Sequence, residues 1–270
     1  TALNGFKHLI ANEQFKSIIP YYITQIYFFQ QNYKELIAFA SPLLETVIPS
    51  RKLEVNRLLA EAYYRTGNFE NAIIHFRAYV EQVDQVNPIV NFLLGQSYFK
   101  VGEFENAINY LEKVNSSADS ISQHATYCLG ASYLKVQQFN YALQAFKKSA
   151  SYSYDEVIQE EAFYNYAKLS YQLDLPFDNT LLVLKTYLEK FDNAIHIKEI
   201  ETLMVQVFQS SSKYDEAFDA LSAIYLPNLQ QQRSLQQLAF FLGVKEYNAA
   251  NYSKALTYFQ LATQYPIDDK

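Results

Sequence analysis

Leu59-Ala60-Glu61-Ala62-Tyr63-Tyr64-Arg65-Thr66-Gly67-Asn68-Phe69-Glu70-Asn71-Ala72-Ile73-Ile74-His75-Phe76 carries the fold in eighteen residues. Its skeleton is Leu-Ala-x-x-Tyr, a Gly-Asn-Phe turn, then Ala-x-x-x-Phe. The same skeleton returns as Leu94-Gly95-x-x-Tyr98, Gly102-Glu103-Phe104 and Ala107-x-x-x-Leu111. It returns again as Leu129-Gly130-x-x-Tyr133, Gln137-Gln138-Phe139 and Ala142-x-x-x-Phe146, each time 35 residues on. A fixed period of that size marks supersecondary units that bury their faces on one another.

Weaker copies extend in both directions. Upstream, Tyr33-x-x-Leu36 follows a Gln30-Gln31-Asn32 turn. Downstream, Tyr166-Ala167 leads to Leu175-Pro176-Phe177, Thr180 and Leu184, with one extra residue at the turn. Tyr214-x-x-Ala217-x-x-x-Leu221 follows, then Leu242-Gly243 with Tyr252, Ala255 and Phe259. The chain therefore divides into seven units, near residues 17–52, 53–87, 88–122, 123–159, 160–197, 198–235 and 236–270, in one solenoid over 1–270. Residues 1–16 read as a remnant of a preceding unit, an amphipathic turn or two without a partner of its own.

Apolar positions recur at three and four residues on both sides of each turn, so every unit is two amphipathic helices. Small residues mark the crossings: Ala60, Gly95, Gly130 and Ala167 on first helices, and Ala72, Ala107, Ala142, Ala217 and Ala255 on second helices. Helix axes approach to about 8 Å only where the contact holds little side-chain volume. The aromatic just after each turn is expected to fill the wedge beside these small residues. Gly67 and Gly102 suit left-handed helix caps, Asp155 an N-cap, Pro88 and Pro227 helix boundaries, and Pro266 the close of the last helix.

Composition agrees. Six Gly and seven Pro in 270 residues are under half of average usage, about 12%, too few to punctuate an all-β fold. Half of the residues are hydrophobic and 44 are aromatic, 24 Tyr and 20 Phe, which rules out global disorder. A net charge of −6 argues against a surface built to neutralise phosphate. The longest apolar stretch, Ile18 to Phe29, is too short to span a bilayer. Because the chain opens at Thr1 with no charged-then-apolar leader, it reads as a fragment or a mature form.

With its large residue, Leu, small residue, Tyr, Gly, aromatic, Ala and aromatic in register, the pattern resembles the tetratricopeptide repeat family over about residues 17–266. Asn56, Asn91 and Thr126 stand in the family's Trp column, and its spacer Pro is mostly absent. The resemblance implies an all-α, right-handed superhelical solenoid of antiparallel helix pairs that binds protein or peptide in a concave groove. The lengthened Phe177 unit is most similar to bacterial envelope members such as the outer-membrane-assembly lipoproteins, a likeness that favours the periplasmic side of an envelope over the cytoplasm without fixing the compartment.

Enzyme chemistry is not expected. The six glycines never cluster as a phosphate loop requires. His8, His75, His124 and His196 lie far apart without metal-motif spacing, so no metal or cofactor is expected. Cys128 reads as a small buried hydrophobe beside Leu129 and Gly130. The acidic pairs Glu160-Glu161 and Asp268-Asp269 read as helix-end or solvated carboxylates.

In the resemblance, the first helices line the groove. Three residues before the small residue stand Tyr21, Arg57, Phe92, Tyr127, Tyr164, Thr202 and Phe240; four after it stand Phe28, Tyr64, Phe99, Leu134, Tyr171, Gln209 and Tyr247. Ten of these fourteen are aromatic, against 16% of the chain. The next column reads Phe29, Arg65, Lys100, Lys135, Gln172, Ser210 and Asn248, with three successive cations on an acidic protein. The peptide-binding candidates are therefore Arg57, Tyr64, Arg65, Phe92, Phe99, Lys100, Tyr127, Lys135, Tyr164 and Tyr171. Ordinary repeat packing accounts equally for the later aromatic column, and ligand contact better for the earlier one. The family's two-carboxylate clamp does not carry over, because Glu61 and Leu93 stand where amides are wanted.

The reading is a protein-interaction scaffold for an extended peptide or partner helix, one that is acidic or carboxylate-ended. Two alternatives are an RNA-binding helical repeat of the pentatricopeptide kind, which shares the period, and a structural assembly subunit acting through its solenoid ends. The acidic balance, 22 Lys and Arg against 28 Asp and Glu, disfavours RNA.

Overall fold

The computed structural model describes residues 2–10, 12–114, 119–191, 195–210, 214–223, 227 and 229–265. Pro266 and the Asp268-Asp269 pair lie outside the described residues, as do the side chains of Phe177, Gln209, Ser210 and Ala217. Among the described residues every regular element is a helix, and none is long and apolar enough to cross a membrane.

The chain forms two compact units, Thr1–Gln159 and Glu160–Lys270. The first contains α1 (Ala2–Leu9), α2 (Ile19–Phe29), α3 (Tyr33–Leu43), α4 (Pro49–Arg65), α5 (Phe69–Val80), α6 (Pro88–Val101), α7 (Phe104–Leu111), α8 (Ser120–Lys135) and α9 (Phe139–Ala150). Here α2 pairs with α3, α4 with α5, α6 with α7 and α8 with α9. Each second helix packs on the first helix of the next pair, and α2, α4, α6 and α8 touch in series. The first helices thus form a layer of their own.

The second unit holds α10 (Glu156–Gln172), whose first turn precedes the division, then α11 (Phe177–Lys190), α12 (Ile197–Ser210), α13 (Tyr214–Ser222), α14 (Leu229–Asn248) and α15 (Tyr252–Thr263). Its core gathers Leu184, Tyr187, Ile200, Met204, Leu221 and Leu235.

The repeat's turn is one hydrogen-bonded motif used six times among the described residues. Glu103 N–H donates to the Tyr98 carbonyl at 2.9 Å, and Asn32 to Tyr27, Asn68 to Tyr63, Gln138 to Tyr133, Leu175 to Ser170 and Asn251 to Glu246 do likewise. This is the six-to-one bond of a Schellman cap, which needs a left-handed residue just before its donor. Gly67 and Gly102 supply it at φ +79° and +84°, as the sequence predicts. Gln31, Gln137, Asp174 and Ala250 supply it elsewhere at φ between +50° and +61°. A Cβ disfavours that region, so Gln137→Gly should stabilise the chain by about 0.5–1 kcal/mol. Chemical denaturation of the two proteins checks it, and a loss of stability would contradict the turn assignment.

The small residues do mark close crossings, but the wedge is filled differently from expectation. A Cβ added at Gly95 would meet the Leu111 side chain at 2.7 Å, one at Gly130 the Phe146 ring at 2.9 Å, and one at Gly243 the Phe259 ring at 2.6 Å. The filler is therefore the last residue of each motif. The aromatic after the turn closes the helix pair at its end instead: Phe69 sits edge-on to Tyr64 and Phe104 to Phe99.

Other local expectations hold. Pro88 opens α6, while Asp155 caps α10 by accepting from Val157 and Ile158 N–H at 3.0 and 3.1 Å, which holds its carboxyl below the usual range. Residues 2–10 are not without a partner, however. Helix α1 packs on α2, with Phe6 stacked on Tyr22 at 5.6 Å between centroids.

Candidate functional site

The predicted binding residues of the first unit fall on α4, α6 and α8, three consecutive members of the first-helix layer. Arg57 is a half-buried residue of α4 with carboxylates at i−3 and i+4, the spacing at which helical side chains meet. Its Nε and Nη2 donate to both oxygens of Glu54 at 3.0 and 2.6 Å, and Nη1 donates to Glu61. These carboxylates hold the guanidinium above its ordinary pKa, the Glu54 bond foremost. Burial raises the Glu61 carboxyl while Arg57 opposes that shift. Arg57 is thus neutralised within its own helix.

A polar ladder crosses the layer. Tyr64 Oη on α4 donates to Gln96 Oε1 on α6, and Gln96 Nε2 donates to Cys128 Sγ on α8 at 3.7 Å. Burial pushes the Tyr64 phenol above its ordinary value and the Cys128 thiol up to about 11. A thiol so shifted is a poor nucleophile at neutral pH, in keeping with the buried-hydrophobe reading.

The two aromatic columns differ. In the later one, Phe28, Tyr64, Phe99 and Tyr247 each pair edge-on with the aromatic that starts their partner helix, at 5.5–6.0 Å between centroids. That is intrarepeat packing, supplemented at Tyr64 by its bond to Gln96. In the earlier one, Phe92 and Tyr127 are half-buried, and Tyr127 meets Phe146 edge-on at 5.8 Å. Tyr21 and Tyr164 are only 8% exposed, whereas Phe240 is 52% exposed.

Arg65, Lys100 and Lys135 end α4, α6 and α8, one in each last turn, and all three are exposed. Among the described residues none of them makes an ion pair. Arg65 lies 6.0 Å from the Tyr64 ring.

Tyr164 and Tyr171 belong to the second unit, where Tyr171 packs half-buried against the core. Tyr164 stacks on His196 at 3.8 Å and accepts from Lys168 Nζ at 3.0 Å. Sequence reasoning missed what surrounds them. Glu160 accepts from Tyr187 Oη, and Glu161 Oε1 lies 3.3 Å from His196 Nε2. The pair expected to be helix-end or solvated carboxylates is half-buried, and the histidine expected to be isolated joins it. His75 and His124 also have partners, Asn56 at 2.9 Å and Asp155 at 3.0 Å. Such meetings across the fold have no short-range spacing to announce them.

The model of the family "Anaphase-promoting complex, cyclosome, subunit 3" matches residues 71–149, from α5 to α9. A search of curated proteins finds no match. Among solved structures the chain is similar to YrrB, described as a tetratricopeptide repeat protein with an unusual peptide-binding site. Identity is 17%, over 73% of this chain and 99% of that one, with a TM-score of 0.57. It also aligns with a tetratricopeptide repeat protein from Parabacteroides merdae, at 15% identity over 93% and 94% of the two chains, TM-score 0.48. The apo form of RapI aligns at 11% identity over 98% and 79%, TM-score 0.49. The chain thus shares the all-helical repeat fold of the YrrB structure.

Proposed function

We propose that the chain is a protein-interaction scaffold whose ligand is an extended acidic peptide lying across α4, α6 and α8. The row Arg65, Lys100 and Lys135 carries this reading: three exposed cations at equivalent places on successive helices of a protein with net charge −6. The helix dipole favours a cation in any last turn. It does not account for the absence of carboxylate partners among the described residues, since Lys245, in the last turn of α14, pairs with Asp215 at 2.6 Å. An acidic ligand would complete the pairing, with Tyr64, Phe92, Phe99 and Tyr127 beside it as low-entropy contact area. The peptide-binding site for which the similar YrrB structure is described supports a scaffold role of this kind.

Selection of linear peptides from a display library on the immobilised chain tests the proposal. Packed helices lie about 8–10 Å apart and an extended chain advances about 3.3 Å per residue, so acidic residues should be enriched at every third position. A selection with no acidic enrichment, or the same selection on the Lys100→Glu, Lys135→Glu double variant, would refute it.

A further inference from the structure

We propose that Glu160, Glu161 and His196 form a binding site for one first-row divalent metal ion of the zinc type. Each offers a donor atom, and the three donors lie within 4.8 Å of one another. Bond lengths of about 2.0–2.2 Å place tetrahedral donors roughly 3.4 Å apart. The His196 Nε2 to Glu161 Oε1 distance, 3.3 Å, already has that value. The Glu160 donor lies within 4.8 Å of both.

The donor set selects the metal. One imidazole nitrogen with two carboxylate oxygens suits Zn²⁺, Co²⁺ or Ni²⁺, whereas Ca²⁺ and Mg²⁺ require a shell of six or more oxygens. Three protein donors leave a coordination position for water.

Two side chains outside the donor set hold it in place. Tyr187 is wholly buried and donates its hydroxyl to Glu160. The Tyr164 ring lies 3.8 Å from the His196 ring at an interplanar angle of 12°, which fixes the imidazole plane. Outer partners of this kind orient metal ligands and tune their affinity.

Charge points the same way. Two adjacent half-buried carboxylates carry two negative charges, and among the described residues no Lys or Arg pairs with either. The nearby cation Lys168 is already engaged by Glu199 and by the Tyr164 hydroxyl. A divalent ion would neutralise the site and tie α10 to the residue that precedes α12, across 35 positions of sequence.

The test uses the whole chain, freed of metal with a chelator and titrated with Zn²⁺ or Co²⁺ alone. One equivalent should bind, and saturation should raise the thermal midpoint by about 2–4 °C or more, with no response to Ca²⁺ or Mg²⁺. Glu161→Gln and His196→Asn should each abolish the shift, and Tyr187→Phe should weaken affinity about tenfold without removing a ligand. Where a variant does not fold, paramagnetic broadening by Co²⁺ in the unaltered chain should centre on Tyr164, Glu160 and His196. Failure to form a one-to-one complex at equimolar metal would overturn the proposal, leaving a histidine–glutamate ion pair only. Binding that survives His196→Asn, or broadening centred elsewhere, would overturn it as well.

Discussion

Phe146→Ala is expected to be the most damaging single truncation considered, costing about 3–5 kcal/mol and lowering the thermal midpoint of the first unit by about 10 °C. Phe146 is 1% exposed, and its ring lies where a Cβ on Gly130 would reach it at 2.9 Å. Removing the ring leaves a cavity between two helices that cannot easily close, because neighbouring pairs hold both. The same geometry makes a sharper claim about Gly130→Ala. In the unaltered chain the added methyl crowds the ring and should destabilise; in the Phe146→Ala background it enters the vacated space and should be tolerated. A double-mutant cycle by denaturant titration measures that coupling. Additive effects would mean that these two residues do not face each other. Tyr127 rests edge-on against Phe146, so the truncation also loosens one of the proposed ligand contacts.

Lys100→Glu with Lys135→Glu should weaken capture of an acidic peptide by about ten- to a hundredfold and flatten or reverse its salt dependence. Each substitution turns attraction into repulsion at an exposed site, so most of the loss should appear in the association rate. Phe92→Ala should instead raise the dissociation rate, since a half-buried ring supplies contact rather than steering. Two controls separate recognition from helix-end effects. Lys148→Glu makes the same change of charge in the last turn of α9, in the other layer, and should leave binding intact. Lys100→Gln removes the favourable dipole term without introducing repulsion and should cost only a few-fold. Surface plasmon resonance at two salt concentrations reads all of these. Equal losses for Lys148→Glu and the double variant would show that net charge, not the row on α4, α6 and α8, governs binding.

How far the sequence reveals this molecule depends on how local the signal is. The central repeats are legible because Gly67 and Gly102 announce a left-handed turn and Ala72, Ala107 and Ala142 announce a close crossing. At Asp174 and Ala250 the same turn forms without glycine, so only the flanking pattern of Tyr, Ala and Leu locates it. The wedge was misassigned for a geometric reason. Phe69 and Phe76, Phe104 and Leu111, and Phe139 and Phe146 are each seven residues apart, about two helical turns, and so share a face. Which of the two meets the glycine depends on the crossing point, which no single-helix pattern contains. Arg57 is the reverse case: Glu54 and Glu61 stand at i−3 and i+4 in the sequence, so its neutralisation was legible there. Glu160, Glu161 and His196 meet only because one helix pair stacks on the next, and no spacing within either segment reveals it.

Every described contact between helices joins neighbours in the chain or next neighbours, from α1 on α2 to α12 on α14. A polypeptide built this way need not wait for its far end before it can fold. By the time α6 has left the ribosome, α4 and α5 have met their packing partners on that side, and the buried faces of Ala60, Ala72 and Phe76 can already be shut away from water. Loop closure is short at each step. The chain can therefore be completed pair by pair during its own synthesis, with exposed apolar surface confined to the newest pair.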